Sequence, residues 1–257
     1  MAITIRPYVL AETNWKTVKE QSYTVAVLPW GATEAHNYHL PYATDNFQAE
    51  YVAIEAAKKA WDKKAKVIVL PTIPFGVNTG QMDISLCINM NPSTQYAVLK
   101  DVVHVLNGQN IQKLVIINSH GGNNFKQMIR ELYLEFPNVF VCAINWWQVA
   151  NAKDFFDEPG DHAGELETAA MLHIAPNLVL PLETAGNGTE KKFKIKALQE
   201  GWVSAQRQWT QISSDTGVGN PKRATKEKGK AFLEAVIQKV AEFFEELHHA
   251  DIKNMYE

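Results

Sequence analysis

The chain has 257 residues, 46% of them hydrophobic, enough to bury a substantial core in one α/β domain spanning 1–257. A net charge of −3 with no long basic run excludes a nucleic-acid footprint, and no apolar run reaches membrane-spanning length. The first residues, MAITIRPYVLAETNW, lack the apolar core of a signal peptide, and Cys87 and Cys142 have no paired spacing, so buried thiols in a cytoplasmic protein are expected.

In chain order, Thr13 can cap a short polar helix over 13–22. Residues 23–28 (YTVAVL) form an apolar, β-rich run that Pro29 and Gly31 should stop. A helix follows from Asp45 to about Lys63, with Phe47, Tyr51, Ile54 and Trp61 at helical spacing. A second strand is expected at 66–70 (KVIVL), closed by Pro71 and Pro74. Residues 75–95 read as a long loop with one edge strand at Ile84–Ile88. Pro92 and Ser93 start a helix to about Asn107, and 113–118 (KLVIIN) is a third strand. Asn123 or Asn124 can cap a helix through Phe136, and 138–144 (NVFVCAI) is a fourth strand. An apolar helix opens near Glu165. The polar stretch 184–224 offers only a short alternating run at 193–197 (FKIKA). Ala224 to His249 is a long amphipathic helix with Phe232, Leu233, Val236, Val240 and Phe243 inward.

Apolar strands alternating with helices predict a mostly parallel sheet covered on both faces. Ligands of such sheets sit outside the carboxyl ends of the strands, where the chemically loaded residues lie. After the first strand come Glu34 and His36, whose spacing of two points them the same way in extended chain, then His39 and Asp45. After the third come His120, Gly121 and Gly122, with glycines that let backbone approach a ligand. After the fourth, Trp146 and Trp147 suit a pocket wall or the core, and His162, Glu165 and Glu167 lie at the next helix start. Each has a bland reading: Asp45 as an N-cap with Gln48 in a capping box, His120 as incidental to a glycine turn, the acids as helix-dipole partners.

Carboxylates mixed with imidazoles suit a borderline metal such as Zn or Mn. Two divalent ions bring four positive charges, which three carboxylates and one hydroxide balance. Such a site activates water for hydrolysis. His162, beside the acids, is placed for proton transfer to a leaving nitrogen. Phosphate-loop, dinucleotide and nucleophile-elbow motifs are absent from the sequence.

The stretch GATEAHNYHLPYATD resembles the metal-ligand loop of the creatininase (creatinine amidohydrolase) family. SHGGNN resembles its H-G-G-N loop, DHAGELETA its H-A-G-x-x-E-T helix start, and NPKRATKEKG its C-terminal segment. The resemblance implies a three-layer αβα sandwich, commonly hexameric. It implies Glu34, His36, Asp45 and His120 as ligands of two ions (Zn or Mn, with Fe a further candidate), Asp45 bridging, and His162 as the catalytic histidine. Gly121, Gly122, Asn123 and Trp147 are expected beside a small-molecule amide substrate.

Gly122 stands where creatininase proper has a ligand Glu, which moves the fifth ligand to the E-T pair and hence to Glu167. Residues Glu158-Pro159-Gly160 lack a pocket tryptophan, and DISLCINM (83–90) replaces another family segment, so a substrate other than creatinine is expected. The alternatives are a formamide or peptide-like precursor as substrate, or a catalytically silent metal-binding subunit.

Overall fold

The structure, a computed structural model, describes residues 5–257. Four parallel strands form one sheet in the order β2-β1-β3-β4: β1 Val25–Trp30, β2 Val67–Val69, β3 Lys113–Asn118 and β4 Phe140–Asn145. Five long helices cover it: α1 Thr44–Asp62, α2 Pro92–Gly108, α3 Lys126–Glu135, α4 Glu165–Ile174 and α5 Lys226–His249.

The period-2 alternation of each strand sorts its side chains between two cores. Val25, Val27, Val67, Val69, Val115 and Ile117 point to one face, where α1, α4 and α5 supply Val52, Ala170, Phe232 and Phe244. Ala26, Leu28, Trp30, Ile68, Leu114 and Ile116 point to the other, against Leu99 and Val103 of α2 and Met128 and Leu132 of α3. The result is the expected αβα sandwich. No helix among the described residues is long and apolar enough to cross a membrane.

Several local expectations are corrected. β1 does not stop at Leu28 but continues through Pro29 to Trp30. The Pro29 carbonyl accepts from Ile73 N at 3.0 Å, so its nitrogen faces the side where β2 has already ended and the missing N–H costs no ladder bond. Residues 84–88 make no strand. Leu86 sits at φ 62 and is exposed, and the segment's strand-like pairing is limited to isolated bridges, Thr33 with Ile88 and Gly76 with Asn89. Residues 193–197 lead into a short helix, Lys196–Gln199, because no strand lies alongside to pair with them. Asn14, not Thr13, caps the first short helix. On α5 the fully buried aromatics are Phe232 and Phe244, with Phe243 half-buried against the same core.

Candidate metal centre

Every loop that follows β1, β3 and β4 rises from the same sheet edge, and the ligand candidates meet there. The β1 loop is folded back on itself: Glu34 N donates to Tyr42 O at 3.1 Å, His36 bridges Leu40, and Asn37 takes a left-handed φ of 54. That turn aims Glu34 and His36 inward and delivers the chain to α1, whose first turn carries Asp45. Asp45 is no N-cap. Ala43 holds that position, and Gln48 Nε2 donates to Glu167 O at 3.2 Å instead of closing a capping box. His120 is set by Asn118, which accepts from its backbone N–H and donates to its carbonyl. His162 is pinned by paired backbone bonds with Val218, and Ala163 beside it adopts φ 51.

Three groups of potential ligands result: Glu34, Asp45 and His120; His36, Asp45 and Glu167; and Glu34, His36 and His162. In each, the ligand atoms lie within 4.8 Å of one another. Glu34, His36 and Asp45 are at most 1% exposed. His120 Nδ1 lies 2.8 Å from Glu34 Oε1 and 3.3 Å from Asp45 Oδ2, and His36 Nε2 lies 3.2 Å from Asp45 Oδ1.

The remaining imidazole nitrogens face carbonyls: His36 Nδ1 toward Glu34 O (3.2 Å), His120 Nε2 toward Val77 O (3.0 Å), and His162 Nε2 toward Ala35 O (2.8 Å). A ring nitrogen that donates to a carbonyl fixes the tautomer and turns the lone pair of the other nitrogen into the cluster, as metal-binding histidines do. Glu34 Oε1 and Asp45 Oδ2 receive no well-aligned hydrogen bond despite full burial. Buried carboxylate oxygens facing imidazole nitrogens call for positive charge between them, which a bound cation or, in its absence, a proton on the ring supplies. The donor set of imidazole and carboxylate fits Zn or Mn.

Electrostatics follow from this crowding. Burial alone would raise the Glu34 carboxyl, but His120 and His162 hold it well below the usual carboxylate range. Burial likewise opposes charging of His36, yet the Asp45 carboxylate wins and raises it to about 10. His120 is raised well above normal, burial being outweighed by Glu34 and Asp45. Glu167 is raised, chiefly by burial. His39 does not join the cluster: its Nε2 meets Thr168 Oγ1 at 2.9 Å, and burial pushes it down to about 4.

At the start of α4 the two acids part. Glu167 accepts from Ala163 N and joins His36 and Asp45. Glu165, fully buried, accepts from Glu158 N at 2.8 Å and pairs with Lys228.

A cavity of about 290 Å³ opens beside the cluster, lined by Glu34, Asp45, His120, His162 and Glu167 together with Gly121, Gly122 and Trp147. Asn123, expected beside the substrate, lies elsewhere. It is buried, accepts from Val77 N and Gln95 Nε2, and donates to Asn118, tying the β3 loop to the 76–80 loop.

Other lining residues carried no sequence signal. Gln81, from the 75–95 stretch, donates to Glu34 Oε2. Arg207 and Trp209 come from the unassigned polar segment. The Trp209 ring lies 4.8 Å from that of His162, and the Arg207 guanidinium lies 5.0 Å over Trp209 while pairing with Asp161 at 2.8 Å.

Comparison with known proteins agrees with this architecture. The family model described as creatinine amidohydrolase matches residues 11–244. A solved Bacteroides fragilis NCTC 9343 protein, provisionally described as a creatinine amidohydrolase, is 42% identical with a TM-score of 0.92, covering 99% of this chain and 100% of that one. The mycofactocin precursor peptide peptidase of Mycobacterium ulcerans (strain Agy99) is 26% identical over 223 residues, 82% of this chain and 80% of the relative. A solved creatininase with Mn shares the fold at 20% identity and a TM-score of 0.78, covering 95% of this chain and 99% of that one, and a mutant creatininase is of a Zn–Zn type. Matched along nearly its whole length, the chain belongs to the creatininase family of amidohydrolases.

Proposed function

We propose that the protein hydrolyses an amide C–N bond outside the peptide bonds of proteins, using two divalent ions, Zn or Mn, per chain. The observation that carries this reading is that Asp45 belongs to two ligand groups at once, with Glu34 and His120 on one side and His36 and Glu167 on the other. In this assignment Asp45 would be the carboxylate that the two ions share. When bound, such a pair of ions lowers the pKa of water toward neutrality and polarises the attacked carbonyl.

The protein's own part is to orient and to move protons. His162 Nε2 is committed to Ala35 O, so Nδ1, which faces Glu34 Oε1 at 3.9 Å, is the atom that takes a proton from the attacking water and hands it to the departing nitrogen. Trp209 against the His162 ring limits its rotation. Trp147 and the backbone of Gly121 and Gly122 border the space left for substrate, whose volume suits a small molecule.

A peptide-like precursor is the second reading, favoured by the similarity to the mycofactocin precursor peptide peptidase. A catalytically silent subunit is disfavoured by the coexistence of the full ligand set with His162. We also propose that the chain works as one domain, in the cytoplasm and as a homo-oligomer. The two free cysteines support the first setting, and exposed Tyr133 and Leu134 support the second.

The test is a substrate panel run on Mn- or Zn-loaded protein, with cyclic amides including creatinine, formamides, and short peptides. Turnover that a chelator abolishes and metal restores is expected for at least one small amide. Full loading without turnover of any member favours the silent subunit.

A further inference from the structure

The Glu34 carboxylate has two oxygens, and the ligand groups and His162 account for Oε1 alone. The other, Oε2, is held by Gln81 Nε2. Gln81 is 2% exposed and sits at the end of a tight turn, Thr79–Gln81, its backbone N–H bonded to Asn78 O at 2.9 Å.

An amide side chain can face either way, and its orientation is decided by its partners. Here the second partner is Cys87, whose Sγ–H donates to Gln81 Oε1 at 3.3 Å. Turning the amide over would set its oxygen against a carboxylate oxygen and its NH₂ against a thiol donor. The same sulfur accepts from the backbone N–H of Ala35 at 3.3 Å. The contacts therefore close a ring, running from the Glu34 side chain through Gln81 and Cys87 back to the residue that follows Glu34.

We infer that Gln81 is the positioning residue of Glu34, with Cys87 locking Gln81. The ring fixes the carboxylate relative to its own backbone and leaves a single oxygen, Oε1, for an ion. This rests on the two-ion reading above. Neither residue touches substrate or reacting atoms in this role. It gives a task to a cysteine whose thiol burial pushes up, away from easy ionisation, and which therefore stays a hydrogen donor at neutral pH.

The experiment titrates metal-free, full-length wild type, Gln81→Leu, Cys87→Ala and Cys87→Ser with Co²⁺. The visible Co²⁺ spectrum reports the geometry of each ion, and the two binding steps are fitted separately. Removing a contact that orients a ligand typically lowers metal affinity about 10–100-fold. Gln81→Leu is expected to weaken one binding step by that factor, shift the spectrum of that ion, and leave the other step unchanged. Cys87→Ala should weaken the same step by less, while Cys87→Ser, which keeps a donor, should stay near wild type.

Wild-type binding with both steps unchanged in Gln81→Leu overturns the inference. So does an equal loss in both steps, which marks Gln81 as merely structural. Should Gln81→Leu not fold, Gln81→Met and the Cys87 pair decide by the same criteria. Wild type that binds no Co²⁺ contradicts the two-ion reading itself, and the inference falls with it.

Discussion

Replacing Gly122 by alanine puts one methyl group against the ring that would hold an ion. A Cβ there would lie 2.3 Å from Val77 O and 2.4 Å from His120 Nε2, the acceptor and donor of a single 3.0 Å hydrogen bond. Gly76 also closes on this ring, its own would-be Cβ meeting His120 Cδ2 at 2.7 Å. His120 is thus crowded by two glycines, and at Gly122 the Val77 carbonyl cannot yield without moving backbone. The Val77 contact fixes which nitrogen of His120 faces Glu34 and Asp45, so losing it should weaken metal binding about 10–100-fold, or about 1.4–2.7 kcal/mol. The steric insertion should cost about 1–3 kcal/mol of folding stability besides. Competition with a chromophoric chelator measures the first effect, and urea unfolding of the metal-free protein measures the second. Gly121→Ala is the control, because nothing lies within 4 Å of a Cβ at that position. Wild-type metal affinity in Gly122→Ala, or equal damage from Gly121→Ala, would refute the reasoning. The same geometry predicts that Gly122→Glu cannot restore the ligand found in creatininase proper.

His162→Ala should retain its metal while kcat on a responsive amide falls by roughly 10²–10⁴, checked by elemental analysis beside steady-state kinetics; loss of metal would make His162 a ligand through its group with Glu34 and His36. Glu167→Gln should lose an ion, whereas Glu165→Gln should keep both, and Lys228→Met, which takes one partner from the buried Glu165 carboxylate, should destabilise the fold by about 1–3 kcal/mol in denaturant unfolding with metal content intact. His39, held near 4 when folded against about 6.5 unfolded, contributes stability that is complete above pH 6.5 and declines as pH falls toward 4; His39→Gln should flatten that acid limb in urea midpoints taken from pH 7 to 4.5. In metal-free protein His36 and His120 are protonated at neutral pH, so ion uptake must release protons, and calorimetric titrations in buffers of different ionisation enthalpy should show it.

What could be read beforehand was whatever local pattern dictates. The apolar runs of β1 to β3 read as buried strands and that of β4 as a strand, which the structure leaves half-buried at the sheet edge, and the spacing of Glu34 and His36 after β1 put both side chains on one side of an extended chain. The position of Asp45 in the first turn of α1 was legible too, although its freedom from capping was not. That depended on Gln48 reaching across to the backbone of Glu167, a partner 119 residues away. Gln81 lay hidden for the same reason: a Gly- and Asn-rich stretch has no periodicity, and only the fold brings it 47 residues back to Glu34. Arg207 and Trp209 sit in a polar segment whose backbone follows the site's outline and no strand or long helix. Asn123 does not line the cavity, and its place in the fold was not legible because helix caps and loop ties draw on the same residue types. Its amide instead ties the 76–80 loop, through Val77 N, to the loop that carries His120.

The bridging role of Asp45 is the point on which the chemistry turns, and counting ions tests it most directly. Wild-type protein and Asp45→Asn, purified without chelator, reconstituted with Mn or Zn and desalted, are compared by elemental analysis per chain. Asp45 is shared by two of the three ligand groups, so wild type should hold about two ions and Asp45→Asn close to none. Fewer than about one ion in wild type, or an Asp45→Asn protein that keeps both, would contradict it.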